Sequence, residues 1–380
     1  MKKLLIIFPF VVSSLSLFGC SKKQEDSKPV SLENCSIHHD EEFGGVYINT
    51  SIQGFNDLGF QYGDSVDLSF DTGSVKITYS DIGYYSGYYV PAGQELVVAY
   101  PGYENIKFCI NYGEDLYQKH NFNENTKVTV TLKEAKKYLP VEETLSINYS
   151  DDRNKYESDE QFGNFREVKV GQMKPGLFYR GASPIDNTRS RAEIVDGLLQ
   201  KNSIHYIIDL ADKESNLSNK KYVIHDYFRN LMDDGRALFL GMAAAYKSED
   251  FSSKMKTLFL SMLENDGPYY VHCLEGKDRT GYVCMVIEAL CGATYQELVD
   301  DYFITYKNYY GIEKGTEKYN VIKELHIDEM IKYVFGFEET PWLLGATAFH
   351  SQANNYLLNV GLTQEQIDTL QLKLISSPNF

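Results

Sequence analysis

The sequence predicts a multidomain chain: a small N-terminal β-barrel, then an α/β domain with a helical C-terminal extension. Three observations predict it. Up to about residue 132, short alternating runs are broken by glycine-containing turns, as in small strands at regular spacing. From Asn164, apolar strand-like runs alternate with helical spacing, as in a mostly parallel sheet with helices on its faces. From Thr294 onward the pattern is mostly helical. The 380 residues suffice for two to three domains with their own cores, and 43% are hydrophobic, as in globular chains. A net charge of −16 argues against a nucleic-acid partner, whose phosphates it repels; it leaves room for a small phosphorylated substrate held in one local pocket.

Residues 1–19 read as an export signal. Lys2 and Lys3 precede an apolar run, Leu4 to Phe18, too short for a comfortable membrane span. Leu17-Phe18-Gly19-Cys20 resembles a bacterial lipobox, with Phe18 bulkier than usual. The resemblance implies cleavage before Cys20, acylation of its thiol and new amino group, and a membrane lipoprotein facing outside the cytoplasm. A plain signal peptide and an uncleaved anchor are the alternatives. Residues 20–42 are expected to be a polar linker.

Residues 43–135 carry the barrel strands SVDLSF, SVKITYS, ELVVAY, IKFCIN and KVTVTL, separated by DTG, PAG, YPG and YGE. The phrases NDLGFQYGDSVDLSF, GYYVPAGQELVVAYPGY and IKFCINYGEDL resemble the C-terminal barrel of S-adenosylmethionine hydroxide adenosyltransferases. That resemblance implies the fold and not the activity, which needs a further N-terminal domain for which there is no room; a binding or spacer role is expected. Cys35 and Cys109 are candidates for a disulfide if the compartment is oxidising. The run His38 to Asp40 reads as solvated linker residues before it reads as a metal pair, and no metal or other cofactor is expected.

A charged stretch, SDDRNKYESDE, lies in a second expected linker, 136–163. In the last domain, 164–380, HYIIDL, YVIHDYF and PYYVHC read as strands. Phe251 to Leu263 and Thr280 to Leu290 read as helices, with Gly361 and Thr363 separating the final two. Cys284 and Cys291 are expected on a helix and read as core residues.

The chemistry concentrates in VHCLEGKDRTG, Val271 to Gly281, at a strand–loop–helix junction. There, backbone N–H groups and a helix N-terminus converge on an anion. Leu274, Glu275, Gly276, Lys277, Asp278, Arg279 and Thr280 form the phosphate cradle, and Arg279 can hold two phosphate oxygens with its planar fork. The positive surroundings favour thiolate over thiol at Cys273, the nucleophile. Thr280 can bond the sulfur as it leaves, and His272 supports the strand end. A Cys-x5-Arg spacing alone is weak; the full string meets many independent requirements together. The loop lacks the GxxxxGK[ST] spacing of an NTP-binding loop.

The loop resembles that of the bacterial tyrosine-phosphatase-like group of cysteine phosphatases, and NFREVKVGQMKPGLFYRGASP and IHYIIDLADKES resemble that group's opening segments. Glu167, Gly181 and Ala211 depart from its usual Asp, Ser and Arg. The resemblance implies a phosphomonoester hydrolase acting through a phosphocysteine, on phosphotyrosine in proteins before phosphoinositides or inositol phosphates. A catalytically inactive cell-surface binding protein is the reading from another class. Asp278 is the first candidate for the general acid. Asp234, with Asp233, is the second, in a mobile loop expected after YVIHDYF; Asp212 is the third. Arg180 contacts substrate or braces the loop. An exported protein with a readily oxidised thiolate remains a tension in this reading.

Overall fold

A computed structural model describes residues 29–376, except 42, 92, 112, 245 and 338–340. The expected export signal and Cys20 lie outside the described residues. Among the described residues no helix is long and apolar enough to cross a membrane.

Seven strands close the barrel in the order β1-β2-β6-β5-β4-β3-β7. They are β1 (Ser31–His39), β2 (Val46–Ser51), β3 (Ser65–Asp71), β4 (Lys76–Tyr85), β5 (Glu95–Val98), β6 (Asn105–Ile110) and β7 (Lys127–Glu134). Helix α1 (Ile52–Asp57) follows β2, and α2 (Leu116–Lys119) follows β6. Alternation places Val66, Leu68, Phe70, Val128 and Val130 inside, where they meet Val46, Ile48 and Phe108.

The barrel begins twelve residues before its expected start at 43, because β1 closes it by pairing with both β2 and β7. His38, His39 and Asp40 therefore belong to the barrel. They pair with Asn49, Asp115 and Lys107, and no metal-holding cluster exists among the described residues. Cys35 and Cys109 are free thiols. The registers Ile37↔Ile48 and Val46↔Phe108 extrapolate to Cys35 opposite Thr50 and Cys109 opposite Gly45. Five residues along β2 separate them, about 16 Å, beyond the reach of a disulfide.

The second expected linker is structured. Helix α3 (Leu139–Leu145) and helix α4 (Asp159–Phe162) lie in it. Tyr149 between them stacks on Tyr309, with ring centroids 4.6 Å apart.

In the α/β domain the sheet order is β11-β10-β12-β9-β8. The chain runs β8 (Arg166–Glu167), β9 (Phe178–Gly181), α5 (Ala192–Lys201), β10 (Tyr206–Asp209), α6 (Asp226–Asp233), β11 (Ala237–Phe239), α7 (Glu249–Glu264), β12 (Tyr269–His272) and α8 (Asp278–Leu290). All pairs are parallel except β8 with β9. Period two sends Tyr206, Ile208, Tyr269 and Val271 to the face covered by α7 and α8, and Ile207 and Tyr270 to the face covered by α5 and α6. Two helices clothe each face, so the central strands are apolar throughout.

YVIHDYF does not form a strand. Val223 is exposed, while Phe228 and Leu231 are buried three residues apart, a helical stripe that becomes α6. The parallel edge strand is β11 instead. Helix α8 is sheathed by α9 (Tyr295–Tyr310), α10 (Glu317–Ile322), a π-helical turn over Lys323–Asp328, α11 (Glu329–Phe335), α12 (Ala346–Asn359) and α13 (Gln364–Leu374). That explains its near-continuous apolar sequence. Gly361 (φ +99°) and a Thr363–Gln366 capping box separate the last two helices as expected.

Candidate active site

The loop between β12 and α8 is shaped by what holds its carbonyls. Leu274 O accepts from the Ser183 N–H at 3.0 Å, and Glu275 O from the Tyr309 hydroxyl at 2.8 Å and Asn164 Nδ2 at 3.1 Å. Gly276 O accepts from Arg180 Nη2 at 3.0 Å. A trans peptide points its N–H opposite to its C=O. Four carbonyl anchors on the outside, counting the 3.5 Å approach of Arg180 Nη2 to Lys277 O, thus turn the N–H groups inward. Among the described residues no group accepts from the N–H groups of Glu275, Gly276 or Lys277. They form a concave ring of donors at the start of α8, a ready anion site.

Gly276 is required twice. Its φ is +70°, and a Cβ there would sit 2.2 Å from Gly181 O. Gly181 is constrained by packing, because a Cβ would meet the Tyr270 hydroxyl at 2.5 Å and Phe165 Cα at 3.0 Å. Its departure from the family pattern is a packing requirement of this chain.

Cys273 directly follows β12 and is buried. His272 is fully buried, its Nδ1 3.2 Å from Cys273 O and its Nε2 3.8 Å from Asp209 Oδ2. A carbonyl only accepts, so Nδ1 carries the proton. Burial is the main cause that raises the Asp209 carboxyl, to about 6; the His272 charge opposes this and Asp212 adds to it. Arg279 Nη1 donates to Met242 O at 2.8 Å, which orients the guanidinium and leaves its other N–H groups for an anion. The Thr280 hydroxyl is buried and lacks a partner among the described residues, free to bond a sulfur or a phosphate oxygen.

Arg180 is a brace. It is 1% exposed and bonded to Asp301 at 2.5 Å as well as to Gly276 O. Arg166 binds the same Asp301 at 2.9 Å. Beside them, burial above all, with the nearby Asp301 charge, pushes the Glu288 carboxyl well above the usual carboxylate range. Glu275 turns away from the ring, its carboxylate accepting from the Tyr149 hydroxyl at 2.5 Å.

The three acid candidates separate sharply. Asp278 opens α8, with Tyr302 donating to it at 3.4 Å and Lys277 Nζ 3.9 Å away. Asp212 lies beyond the C-terminal end of β10, the end that carries Cys273. It is bonded by the Tyr222 hydroxyl at 2.7 Å and has one buried oxygen without a hydrogen-bond partner among the described residues. Asp233 and Asp234 close α6 and precede β11, so parallel strand direction puts them at the opposite end of the sheet, where Asp234 pairs with Arg236. No acid loop exists there. Residues the sequence reading gave no role are Asn164, Ser183, Tyr149, Tyr309 and Asp301. Only Asn164 left a signal, as an asparagine suited to the left-handed φ of +47° it adopts.

A strand-to-helix loop with inward N–H groups, a cysteine at its start and an arginine at its end defines a cysteine-dependent phosphatase. The family described as "Tyrosine phosphatase family" matches residues 161–376, more than half of the chain, and the chain belongs to that family. No curated protein matches the chain. Among solved structures it is similar to the core catalytic domain of the PP-IP phosphatase SIW14 from S. cerevisiae in complex with citrate, at 22% identity over 46% of this chain and 91% of that one, with a TM-score of 0.27. The Siw14 catalytic core is similar at 20% identity over 48% and 95%, with a TM-score of 0.26. An uncharacterized conserved protein from Thermotoga maritima is similar at 19% identity and a TM-score of 0.21; the match covers 27% of this chain and 38% of that protein's length.

Proposed function

We propose that the protein hydrolyses phosphotyrosine through a phosphocysteine intermediate. The observation that carries the chemistry is the ring of inward N–H groups between Cys273 and Arg279, locked by its outward carbonyls. Family membership supports the substrate.

The phosphate seats in the ring, with Arg279 on two of its oxygens. The Cys273 thiolate attacks phosphorus as the bond to the tyrosyl oxygen breaks, and Asp278 gives its proton to that oxygen. Water then attacks phosphorus and yields its proton to the Asp278 carboxylate. The S–P bond breaks, releasing inorganic phosphate and regenerating the thiolate. Arg180, Asn164 and Tyr309 keep the loop shape through both steps.

The test is a panel of phosphotyrosine peptides, phosphoinositides and inositol phosphates under reducing conditions, with Cys273→Ser as control. Preference for phosphotyrosine supports the reading. Preference for an inositol phosphate reassigns the substrate, and hydrolysis of none returns the chain to a binding role.

We further propose that the protein is exported and anchored through lipid on Cys20. Cys20→Ser is expected to abolish fatty-acid labelling and release the protein from the membrane; unchanged labelling would refute it.

A further inference from the structure

Between the barrel and the catalytic loop lies a cavity of about 350 Å³. Its floor is the loop itself, through Lys277 and Asp278, the residue proposed to protonate the leaving group. Its roof is the barrel segment Gly87–Val90 with Tyr100. A group that takes a proton from Asp278 must stand beside Asp278, and Asp278 lines this cavity.

The roof is fixed in place. Just before it, Ser86 donates to Glu142 of α3 through its N–H at 3.0 Å and its hydroxyl at 2.5 Å. Asn111 Nδ2 holds Val90 O at 2.5 Å, and the Tyr88 and Tyr103 hydroxyls lie 2.8 Å apart. On the catalytic side, the π-helical turn brings Leu325 and His326 to the cavity wall, and the Tyr306 hydroxyl bonds to His326. Single π turns inside helices are rare and often mark functional sites.

The lining has a definite chemistry. It is rich in tyrosine rings from both domains. Its charges are one Lys and one Asp, 3.9 Å apart, and burial keeps His326 neutral, its pKa lowered to about 4. A pocket without net charge offers little to extra phosphates on a polyphosphorylated head, whereas aromatic walls suit a neutral flat ring. We infer that the barrel is the specificity wall of this phosphatase, with Tyr89 and Tyr100 packing against the aromatic leaving group of an aryl phosphate such as phosphotyrosine. The inference rests on the phosphatase reading and on Asp278 as the acid.

The experiment uses the full chain. Values of kcat and KM are measured for a phosphotyrosine peptide and for glycerol phosphate, in wild type and in Tyr89→Ala, Tyr89→Phe and Tyr100→Ala. The expected result is a fall of about three- to tenfold in the aryl-over-alkyl ratio of kcat/KM for both alanine variants, carried by KM, the worth of one aromatic contact. Tyr89→Phe keeps the ratio. Tyr100 is 46% exposed, so its truncation leaves the fold intact and reports even if Tyr89→Ala fails to fold. An unchanged ratio in Tyr100→Ala and any folded Tyr89→Ala, or equal losses on both substrates, overturns the inference while leaving the phosphatase reading standing. A wild type that hydrolyses neither ester overturns the reading itself.

Discussion

The two ends of the parallel sheet carry similar carboxylates in different surroundings. At the C-terminal end, Asp209 and Asp212 are buried beside His272, Lys221 and Tyr222, next to a loop whose N–H groups turn inward. At the N-terminal end, Asp233 and Asp234 finish a short helix, and Asp234 is 58% exposed and tied to its neighbour Arg236. The sequence shows the same residue type at both ends. Strand direction decides which can act, because parallel strands deliver their C-termini and the N-termini of the following helices to one edge.

The sharpest way to break this comparison is at the loop. Cys273→Ser is expected to lower phosphate release by at least about 10⁴-fold while the protein still binds phosphorylated substrate; retained turnover would remove the nucleophile from its role. Next come the rival carboxylates, measured side by side. Asp278→Asn is expected to cost about 10²- to 10⁴-fold in kcat. Asp234→Asn is expected to change kcat by less than about twofold. Equal losses would erase the distinction between the two ends.

The brace gives a third test. Arg180→Met leaves the buried Asp301 with Arg166 alone of its two arginine partners and strips Gly276 O of its nearer donor, leaving Asn164 Nδ2 at 3.5 Å. Urea unfolding is expected to show a loss of about 3–5 kcal/mol, with activity falling further as the ring loosens. An unperturbed protein would mean that Arg166 suffices.

The smallest effect concerns pH. The Asp209 carboxyl titrates near 6 in the folded protein, against about 3.9 in an unfolded chain. Between these values the folded state holds the proton the unfolded state has released, so this group makes stability fall as pH rises from about 4 through 6. Asp209→Asn keeps the acceptor for the Ala211 and Asp212 N–H groups and is expected to flatten that fall in a series of thermal midpoints. A steeper slope in the variant would reverse the assignment.

Much of this was legible in the chain. Alternation with glycine turns marks five of the seven barrel strands, and HYIIDL and PYYVHC mark two central strands of the second sheet. VHCLEGKDRTG marks the loop, because a left-handed glycine, a cysteine at the strand end and an arginine at the helix start are local requirements that local sequence must meet. Strand β1 was hidden among polar residues, because a barrel-closing strand takes its stability from two neighbours rather than from its own pattern. YVIHDYF misled because a short apolar run fits a strand or a helix equally until its burial is known.

What the sequence by itself determined is therefore the two kinds of domain and the strand-to-helix loop that runs from Cys273 to Arg279. Tertiary structure alone decided which way the loop's carbonyls turn, that Arg180 braces them, that Asp234 lies at the far end of the sheet, and that tyrosines of the barrel stand over Asp278. Each of these depends on partners far apart in the chain, and periodicity and spacing report only on neighbours.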